Sequence, residues 1–479
     1  MPPPYPTKRQ KRPARSRPRA ARCTISICSG NVGYTLLPPR TWRFILRSHR
    51  LYLLLFPVAI WLAFIGVKEI TRDFGSERLY DRDFISPYLM ARAILAGANP
   101  YLPIPELAET YLNLPNYTYF SHSTPHPPLL GLLFLPFGFL SYKTGFAVWI
   151  GIEIILLFLF LLALRRWFNF ETILQPILAL LFLMYWCPMK VEMRWGQVNL
   201  LMLLLLTCSL IWLEKGREYM SGLFLGLALA LKMMGWPILI YLALRRQWRA
   251  VFSAGAVLAG ANLLSIMWLG LGWAKTYYLK IGPSVAAIYR SHEANYSIWV
   301  WGQRLFLGIN LNATTRTAPI YQSETLARIT TVGLPFLALL IGLILALRMR
   351  DMDLAFGLLV VLSLLVSPVL WPHYFVLALL PLALWLRKIC DLGWPRRTLI
   401  CSAPALFGLA RWRDTWNHAA SGFTVNGVIP SWAGLIALMP VAALLALAWL
   451  LWRTERLLCS AHPHRLDEEA AHAQGAISN

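Results

Sequence analysis

Charged residues are scarce in this sequence, since Asp, Glu, Lys and Arg together make up 14% of its 479 residues. A soluble domain usually carries about 25% charged residues. Hydrophobic residues account for 57% of the chain, and the mean hydropathy is +0.53. The composition therefore predicts a polytopic membrane protein and leaves little sequence for a separate soluble domain.

Motifs that define several other classes of protein are absent from the sequence. It has no Walker A motif, dinucleotide-binding glycine pattern, zinc-ligand spacing or nucleophilic-serine motif. The absence of a nucleotide-binding region argues against a transferase that uses cytoplasmic nucleotide sugars and against an ATP-driven pump. The seven cysteines suggest neither a disulfide framework nor a metal site. We therefore expect no metal and no cofactor.

Acidic residues are missing from the N-terminal segment, where residues 1–50 contain twelve Lys or Arg and no Asp or Glu. The segment has neither a long apolar run nor a cleavage-site pattern, so it is not a secretory signal peptide. Its composition is typical of a disordered chain that touches anionic lipid. Basic charge alone is a weak indication of nucleic-acid binding, and we expect no nucleic-acid partner. We predict cytoplasmic tails over 1–49 and 457–479 and a transmembrane domain over 50–456.

Apolar runs alternate with short connections from residue 50 onward. A membrane-spanning helix needs about 20 apolar residues, or fewer where neighbouring helices shelter its ends. The pair 219–232 and 234–245 is expected to form a helical hairpin. The runs predict an all-α polytopic bundle of about twelve transmembrane helices, at 50–68, 145–165, 172–188, 197–213, 219–232, 234–245, 249–271, 326–347, 354–369, 371–387, 398–411 and 431–452.

Lys and Arg in the connections set the orientation. Sixteen lie in one set of connections and five in the opposite set of short turns, and the richer set is expected to be cytoplasmic. Only one crossing fits between the outer loop 69–127 and the next basic connection, so we assign it to 145–165. Stretch 128–141 is then a re-entrant or interfacial helix. Both termini face the cytoplasm, and a second long loop, 272–325, lies outside.

The first outer loop contains the block from Asp83 to Tyr101. Its apolar spacing predicts an amphipathic helix over 84–98 that lies on the outer surface. Asp83, at the start of this helix, either caps it or favours its dipole, or acts as a general base at the lipid–water boundary. Asp73 and Asp81 are nearby competitors for the second role.

Three basic residues interrupt apolar sequence at the predicted outer ends of helices. Arg194 either pairs with a polar neighbour or holds a phosphate, because its planar fork matches phosphate oxygens. Lys232 either extends its charge to the interface or binds a lipid phosphate. His373, close to Trp371 and Tyr374, is either an interfacial residue of the aromatic belt or a donor to a phosphate or sugar hydroxyl.

Other polar and aromatic residues of these blocks are candidates for contact with a substrate. Asn295-Tyr296-Ser297 matches a glycosylation sequon; we interpret the match as coincidence, and this segment could instead present a sugar-binding surface. The candidate substrate-binding residues are Tyr88, Arg92, Asn99, Tyr101, Gln197, Asn199 and Trp371.

Taken in their order along the chain, the sequence blocks that contain these residues resemble glycosyltransferase family 87, a membrane family of the GT-C class. The resemblance covers roughly Asp83 to Leu386. It departs from the family at His126, where a Tyr is more usual. The matching pieces are Asp83 to Tyr101, Pro127-Pro128-Leu129, Trp195 to Asn199, the run from Gly222 to Pro237 that contains Lys232, and Ser367-Pro368 through His373.

The resemblance implies a polyprenyl-phosphate sugar donor, usually mannose, used on the outer face of the inner (plasma) membrane. It also implies that Asp83 is the catalytic base and that His373 lies near the reaction centre. We expect transfer to a hydroxyl of a lipid or glycan acceptor, with inversion, through an oxocarbenium-like transition state. Arg194, Lys232 and His373 are the candidates to stabilise the leaving phosphate.

The competing interpretation is a lipid or solute transporter, or a flippase, without transferase activity. Such proteins commonly contain inverted repeats with broken helices in matching halves. The sequence shows no convincing internal repeat. A transporter would also have no need for a carboxylate in an outer loop.

Overall fold

The computed structural model describes residues 49–168, 170, 172–290, 292, 294–310, 315–392, 398, 400, 402, 408–409, 419 and 421–461. Residues 1–48 of the predicted N-terminal tail and most of the predicted span 398–411 lie outside these residues. The predicted C-terminal tail, 457–479, is described as far as Ala461, where the last helix ends. The rest of this tail also lies outside the described residues.

Helices dominate the described residues, which confirms the all-α prediction. Short 3₁₀ or π segments occur at Glu77–Asp81, Met233–Gly235, Tyr277–Ile281, Ile298–Val300, Pro372–Ala378 and Leu435–Leu438. Two parallel strands of two residues each, β1 (Arg316–Thr317) and β2 (Val428–Ile429), form the sheet found in this part of the chain. The helices are α1 (His49–Thr71), α2 (Ile85–Leu95), α3 (Ile104–Leu112), α4 (Pro128–Leu133), α5 (Leu135–Gly138), α6 (Tyr142–Phe168), α7 (Leu174–Tyr185), α8 (Cys187–Trp195), α9 (Asn199–Glu214), α10 (Glu218–Leu231), α11 (Trp236–Leu244), α12 (Trp248–Leu269), α13 (Leu271–Thr276), α14 (Gly282–Arg290), α15 (Trp301–Phe306), α16 (Glu324–Arg348), α17 (Met352–Leu365), α18 (Leu379–Asp391), α19 (Ser431–Gly434) and α20 (Met439–Ala461).

Five helical segments of the described chain are long and apolar enough to cross a membrane, namely Leu54–Thr71, α6, α12, α16 and Pro372–Cys390. A sixth would arise if α7 and α8, which meet at an angle of 77°, form one broken span. The protein is therefore a multi-pass membrane protein. The count of twelve stays a prediction, because α9, α10 and α17 are apolar but have 16, 14 and 14 residues.

Helix α10 packs against both α9 and α12. A Cβ added at Gly222 would lie 2.2 Å from the carbonyl oxygen of Ala250, so the backbones of α10 and α12 approach closely. Small residues permit this kind of packing in membrane proteins. Helix α17 is buried along almost its whole length, as expected for a helix that is apolar on all sides.

The predicted hairpin of 219–232 and 234–245 is wrong. Helix α10 packs mainly on α9 and α12, whereas α11 packs on α12 and α17. The helical path breaks at Lys232, whose backbone is extended, with φ −150° and ψ 128°. This break directs the chain to new neighbours and places Lys232 between two helices rather than on the side of one.

The predicted surface position of segment 84–98 is also wrong. Nine of the eleven residues of α2 are buried, because α3, α4 and α5 all pack against this helix. Its apolar residues are therefore covered by protein on several sides, which an amphipathic surface helix would not be. Stretch 128–141 forms two short helices, α4 and α5, instead of one, and neither is long enough to cross a membrane. Its re-entrant or interfacial position stays a prediction.

Candidate active site

A tight turn at Gly196 brings two distant segments together. Gly196 has φ +65°, and an added Cβ would lie 2.7 Å from the Phe146 ring and 2.8 Å from the Cβ of Phe84. The backbone N–H of Phe84 donates to the carbonyl oxygen of Trp195 at 3.0 Å. Only glycine fits this backbone conformation and this contact. The turn therefore places Gln197 beside the start of α2.

The carboxylate of Asp83 is half-buried at this junction and accepts a hydrogen bond from Nε2 of Gln197. Phe84 occupies the N-cap position of α2, without a side-chain cap, so the interpretation of Asp83 as a helix cap is wrong. Burial raises the pKa of Asp83 to about 6, against the opposing effects of the positive charge of Lys232 and the Gln197 hydrogen bond. A base with a pKa near neutrality is well matched to proton abstraction.

A continuous chain of hydrogen bonds leads inward from Asp83. Lys232 Nζ donates to Gln197 Oε1 at 3.1 Å and to Asn199 Oδ1 at 3.0 Å. Asn199 Nδ2 in turn donates to Glu192 Oε2 at 2.7 Å. We call these five residues, Asp83, Gln197, Lys232, Asn199 and Glu192, the polar chain. It fixes an ammonium group one side chain away from the candidate base.

The inner end of the polar chain is the fully buried carboxylate of Glu192. One of its oxygens accepts the backbone N–H groups of Asn199 at 2.7 Å and Leu200 at 3.2 Å. These are the first N–H groups of α9, where the helix dipole favours a negative charge. Glu192 is thus held as a counter-charge for Lys232, and the pair can be buried because both members are hydrogen-bonded.

His373 is linked to Lys232 through the ring of Tyr374. Its ring centroid is 4.8 Å from that of Tyr374, and Lys232 Nζ sits 4.1 Å above the centroid of the Tyr374 ring. His373 is 5% exposed, and its Nε2 has no hydrogen-bond partner among the described residues. A buried polar atom of this kind usually marks a place for a ligand or water.

The loop that carries His373 is held by the segment Asn295-Tyr296-Ser297. Asn295 Oδ1 accepts the backbone N–H of Leu370 at 2.9 Å, and the hydroxyl of Ser297 donates to the carbonyl oxygen of Ser367. Asn295 and Ser297 are fully buried. The expectation that they present a sugar-binding surface is therefore wrong.

Four of the predicted substrate-binding residues make contacts that fix the first predicted outer loop. Tyr88 and Arg92 donate to the carbonyl oxygens of Leu140 at 3.0 Å and Gly138 at 3.1 Å. Asn99 accepts the backbone N–H of Tyr101 at 2.8 Å, and the hydroxyl of Tyr101 donates to the carbonyl oxygen of His126 at 3.3 Å. Their contact with substrate stays a prediction.

His126 is buried close to the same site. Its pKa is lowered to about 3, first by burial and in addition by the positive charges of Lys232 and His122. The imidazole is therefore neutral near pH 7 and is not suited to serve as a cationic phosphate ligand there.

Arg194, another predicted phosphate ligand, lies against Asp73 instead of in the polar chain. Its Nη2 and Nε lie 2.6 Å and 3.2 Å from Oδ2 of Asp73. Arg82 forms an ion pair with the same oxygen. Arg194 and Lys232, which were both expected to hold one phosphate, thus have different hydrogen-bond partners, and the role of Arg194 towards the donor stays a prediction.

Aromatic residues that the sequence interpretation missed surround Trp371. The rings of Tyr289 and His292 each lie 5.2 Å from the Trp371 ring, and His122 pairs with the hydroxyl of Tyr289. His122 and Tyr289 are 167 residues apart, so no local pattern could have joined them. Among the described residues, no group of three or more His, Cys, Asp or Glu could hold a metal ion.

The raised pKa of Asp83 predicts a pH dependence of turnover. Asp83 accepts a proton only when ionised, and its pKa is about 6. We expect kcat/KM to fall about tenfold per pH unit below about pH 6 and to be level from pH 7 to pH 8. Initial rates measured from pH 4.5 to pH 8 check this expectation. A level profile down to pH 4.5 would exclude a base with this pKa.

Comparison with protein families gives a match that covers about half of the chain. The model of glycosyltransferase family 87 matches residues 124–368, which confirms the resemblance seen in the sequence blocks. The matched range contains most of the polar chain. Asp83 precedes the range, and His373 follows it.

Three curated relatives also match parts of the chain. A polyprenol-phosphate-mannose-dependent alpha-(1-2)-phosphatidylinositol mannoside mannosyltransferase of Mycobacterium tuberculosis is 28% identical over 318 residues, which are 63% of this chain and 68% of the relative. A polyprenol-phosphate-mannose-dependent alpha-(1-2)-phosphatidylinositol pentamannoside mannosyltransferase of Mycolicibacterium smegmatis is 25% identical over 340 residues, covering 68% of this chain and 76% of the relative. An alpha-(1->3)-arabinofuranosyltransferase of Mycobacterium tuberculosis is 31% identical over 155 residues, covering 31% and 36%. No solved structure matches this chain.

Proposed function

The chain belongs to glycosyltransferase family 87, and from this premise we propose that it moves a mannosyl group from a polyprenyl-phosphate donor to a hydroxyl of a lipid or glycan acceptor. The relatives named for polyprenol-phosphate-mannose-dependent transfer support this donor. The observation that carries the proposal is the polar chain, which joins a half-buried carboxylate to a buried ammonium group. Family membership favours transfer over the alternative of a transporter.

Asp83 is the general base in this mechanism. Its carboxylate takes the proton of the acceptor hydroxyl, and the oxygen then forms a bond to the anomeric carbon of the sugar. The bond between that carbon and the phosphate oxygen breaks, with its electron pair leaving on the phosphate. A single displacement through an oxocarbenium-like transition state inverts the anomeric configuration. The hydrogen bond from Gln197 orients the carboxylate for this step.

Lys232 and His373 stabilise the departing polyprenyl phosphate. The phosphate gains negative charge as the bond breaks, and a pre-placed cation lowers the energy of that charge. Lys232 is held by Gln197 and Asn199, so it needs no reorganisation when the charge develops. The Nε2 of buried His373, which has no hydrogen-bond partner among the described residues, supplies a second contact to a phosphate oxygen.

The reaction takes place on the outer face of the plasma membrane in this proposal, with both termini in the cytoplasm. The distribution of Lys and Arg, with sixteen in one set of connections and five in the short turns of the opposite set, supports the orientation. A lipid-linked donor carries its phosphate at the headgroup level. Asp83 lies in the first of the two long loops that the sequence predicts to be outside, which favours a reaction on that face.

A donor screen with purified full-length protein tests the function. We expect transfer of mannose from polyprenyl-phosphate mannose and no transfer from GDP-mannose, because the polar chain provides a site for a lipid phosphate and the sequence has no nucleotide-binding motif. Radiolabelled sugar incorporated into a mixture of membrane lipid acceptors gives the measurement. Equal or faster transfer from the nucleotide sugar would overturn the proposed donor.

A further inference from the structure

Three arginines surround one buried carboxylate at the end of α1. Asp73 is ion-paired with Arg82 and with Arg194, and the Nε of Arg72 lies 3.6 Å from its other oxygen. We call Arg72, Arg82 and Arg194 the arginine cluster. Three positive charges against one negative charge leave two in excess. The nearby Lys190 already forms its own ion pair with Glu69 at 2.6 Å.

The mutual repulsion of these three positive charges raises the free energy of the folded protein when no further anion is bound. Arg82 is almost completely buried, and its pKa is lowered to about 10 by burial first and by the positive charges of Arg194 and Arg72 as well. The guanidinium groups nevertheless remain charged near pH 7. A phosphate matches two such groups in both charge and geometry and would relieve their repulsion.

The arginine cluster is open on the side towards the membrane boundary. The candidate span Leu54–Thr71 ends directly before Arg72. The side chains of Arg72 and Arg194 are 60% and 21% exposed, whereas that of Arg82 is 7% exposed. A lipid phosphate at the headgroup level can therefore reach two of the three arginines without opening the protein.

The arginine cluster and Lys232 form two cationic poles near the candidate base. Arg82 directly precedes Asp83, and Arg194 precedes Gln197 by three residues. Lys232 contacts Gln197 and Asn199, while the arginine cluster is centred on Asp73. The donor phosphate is bonded to the carbon that reacts. It must therefore lie at Lys232, the pole that belongs to the polar chain. The arginine cluster then remains for a second anion.

We propose that the arginine cluster binds the phosphodiester of an anionic lipid acceptor and so positions the acceptor sugar for Asp83. This inference rests on the proposed function and adds to it the residues that hold the anionic, non-reacting part of the acceptor. It assigns Arg194 to the acceptor instead of the donor. Arg72, Arg82 and Arg194 act here as positioning residues, because they hold a part of the acceptor that does not react.

Kinetics with two acceptors test the proposal. Arg72→Gln removes an exposed member of the cluster and leaves the Asp73 pairs with Arg82 and Arg194 in place. The anionic acceptor is phosphatidylinositol mannoside, and the neutral one is octyl α-mannoside, both with polyprenyl-phosphate mannose as donor. We expect the KM for the anionic acceptor to rise roughly three- to fivefold, with the neutral-acceptor KM, the donor KM and kcat unchanged. Arg194→Lys, which keeps the charge but loses the fork, is expected to show the same selectivity.

The matched control is Arg328→Gln, since Arg328 lies on the same predicted face and its side chain is 84% exposed. This control is expected to leave both acceptor KM values unchanged. A rise in the donor KM for Arg72→Gln, or an equal rise in the KM for both acceptors, would overturn the assignment. So would an equal effect of Arg328→Gln, because it would indicate a general attraction of the surface for anionic lipid.

A binding measurement separates this proposal from the proposed function. Fluorescent phosphatidylinositol in detergent micelles is titrated with the wild-type protein and with Arg72→Gln, and phosphatidylcholine serves as the neutral lipid. Preferential binding of phosphatidylinositol that weakens in Arg72→Gln supports the site, even if no sugar transfer is detected. Unchanged binding, or complete displacement by inorganic phosphate, contradicts a lipid phosphodiester site. Loss of transfer to both acceptors in the wild type would instead refute the proposed function.

Discussion

Asp83→Asn is expected to lower the rate of sugar transfer roughly 10²- to 10⁴-fold, which is the usual contribution of a general base. The amide has nearly the same shape as the carboxylate and can still accept the hydrogen bond from Gln197. It cannot take up the proton of the acceptor hydroxyl. The fold should therefore persist while turnover is lost. Initial rates at saturating donor and acceptor, together with a thermal unfolding curve, give the measurement.

Asp81→Asn is the matched control for this substitution. Asp81 lies two residues away and is also partly buried, where it faces Arg78 and lies outside the polar chain. We expect this variant to retain most of the wild-type activity. If Asp83→Asn kept wild-type turnover, or if Asp81→Asn lost as much as Asp83→Asn, Asp83 would not be the base.

Lys232→Met is expected to lower kcat/KM for the polyprenyl-phosphate donor roughly 10²- to 10³-fold. This is the typical effect of removing one group that stabilises charge developing in the transition state. Methionine approximates the length and volume of the lysine stem but cannot donate to Gln197 or Asn199. The KM for the acceptor should change less than the donor parameters. Steady-state kinetics with each substrate varied in turn distinguish the two effects.

Lys232→Met is also expected to change the pH dependence of turnover, because Lys232 affects the pKa of Asp83. The positive charge of Lys232 lowers the pKa of Asp83, so its removal should move the acidic limb of the pH profile to higher pH. Lys190→Met, which removes a lysine that pairs with Glu69, is the control and should move neither the limb nor the donor kinetics. An effect of Lys232→Met confined to the acceptor would contradict the assignment of this residue to the donor phosphate.

Local sequence features were sufficient to predict the class of protein and most of its helices. Apolar runs predict α6, α12 and α16 to within a few residues, because a membrane or a protein core demands continuous apolar sequence over a known length. The blocks around Asp83, Gln197, Lys232 and His373 were also recognisable as polar exceptions in apolar surroundings. Such exceptions are costly in a membrane, which is why they indicate a site.

The arrangement of those exceptions was not predictable from local sequence. The apolar spacing of α2 fits a surface helix, yet α3, α4 and α5 cover it. The periodicity of one segment cannot show which other segments will pack against it. Arg194 is separated by 121 residues from Asp73. That ion pair depends on how α1 and α8 pack, which neither segment encodes alone.

The sequence by itself determined that this chain is a helical membrane protein of the glycosyltransferase family 87 type, since hydrophobic length and short polar blocks are local properties. The tertiary structure decided which polar groups meet. The break at Lys232 and the turn at Gly196 bring an ammonium group and Gln197 to Asp83. These contacts join residues far apart in the chain, and their geometry exists only once the helices have packed.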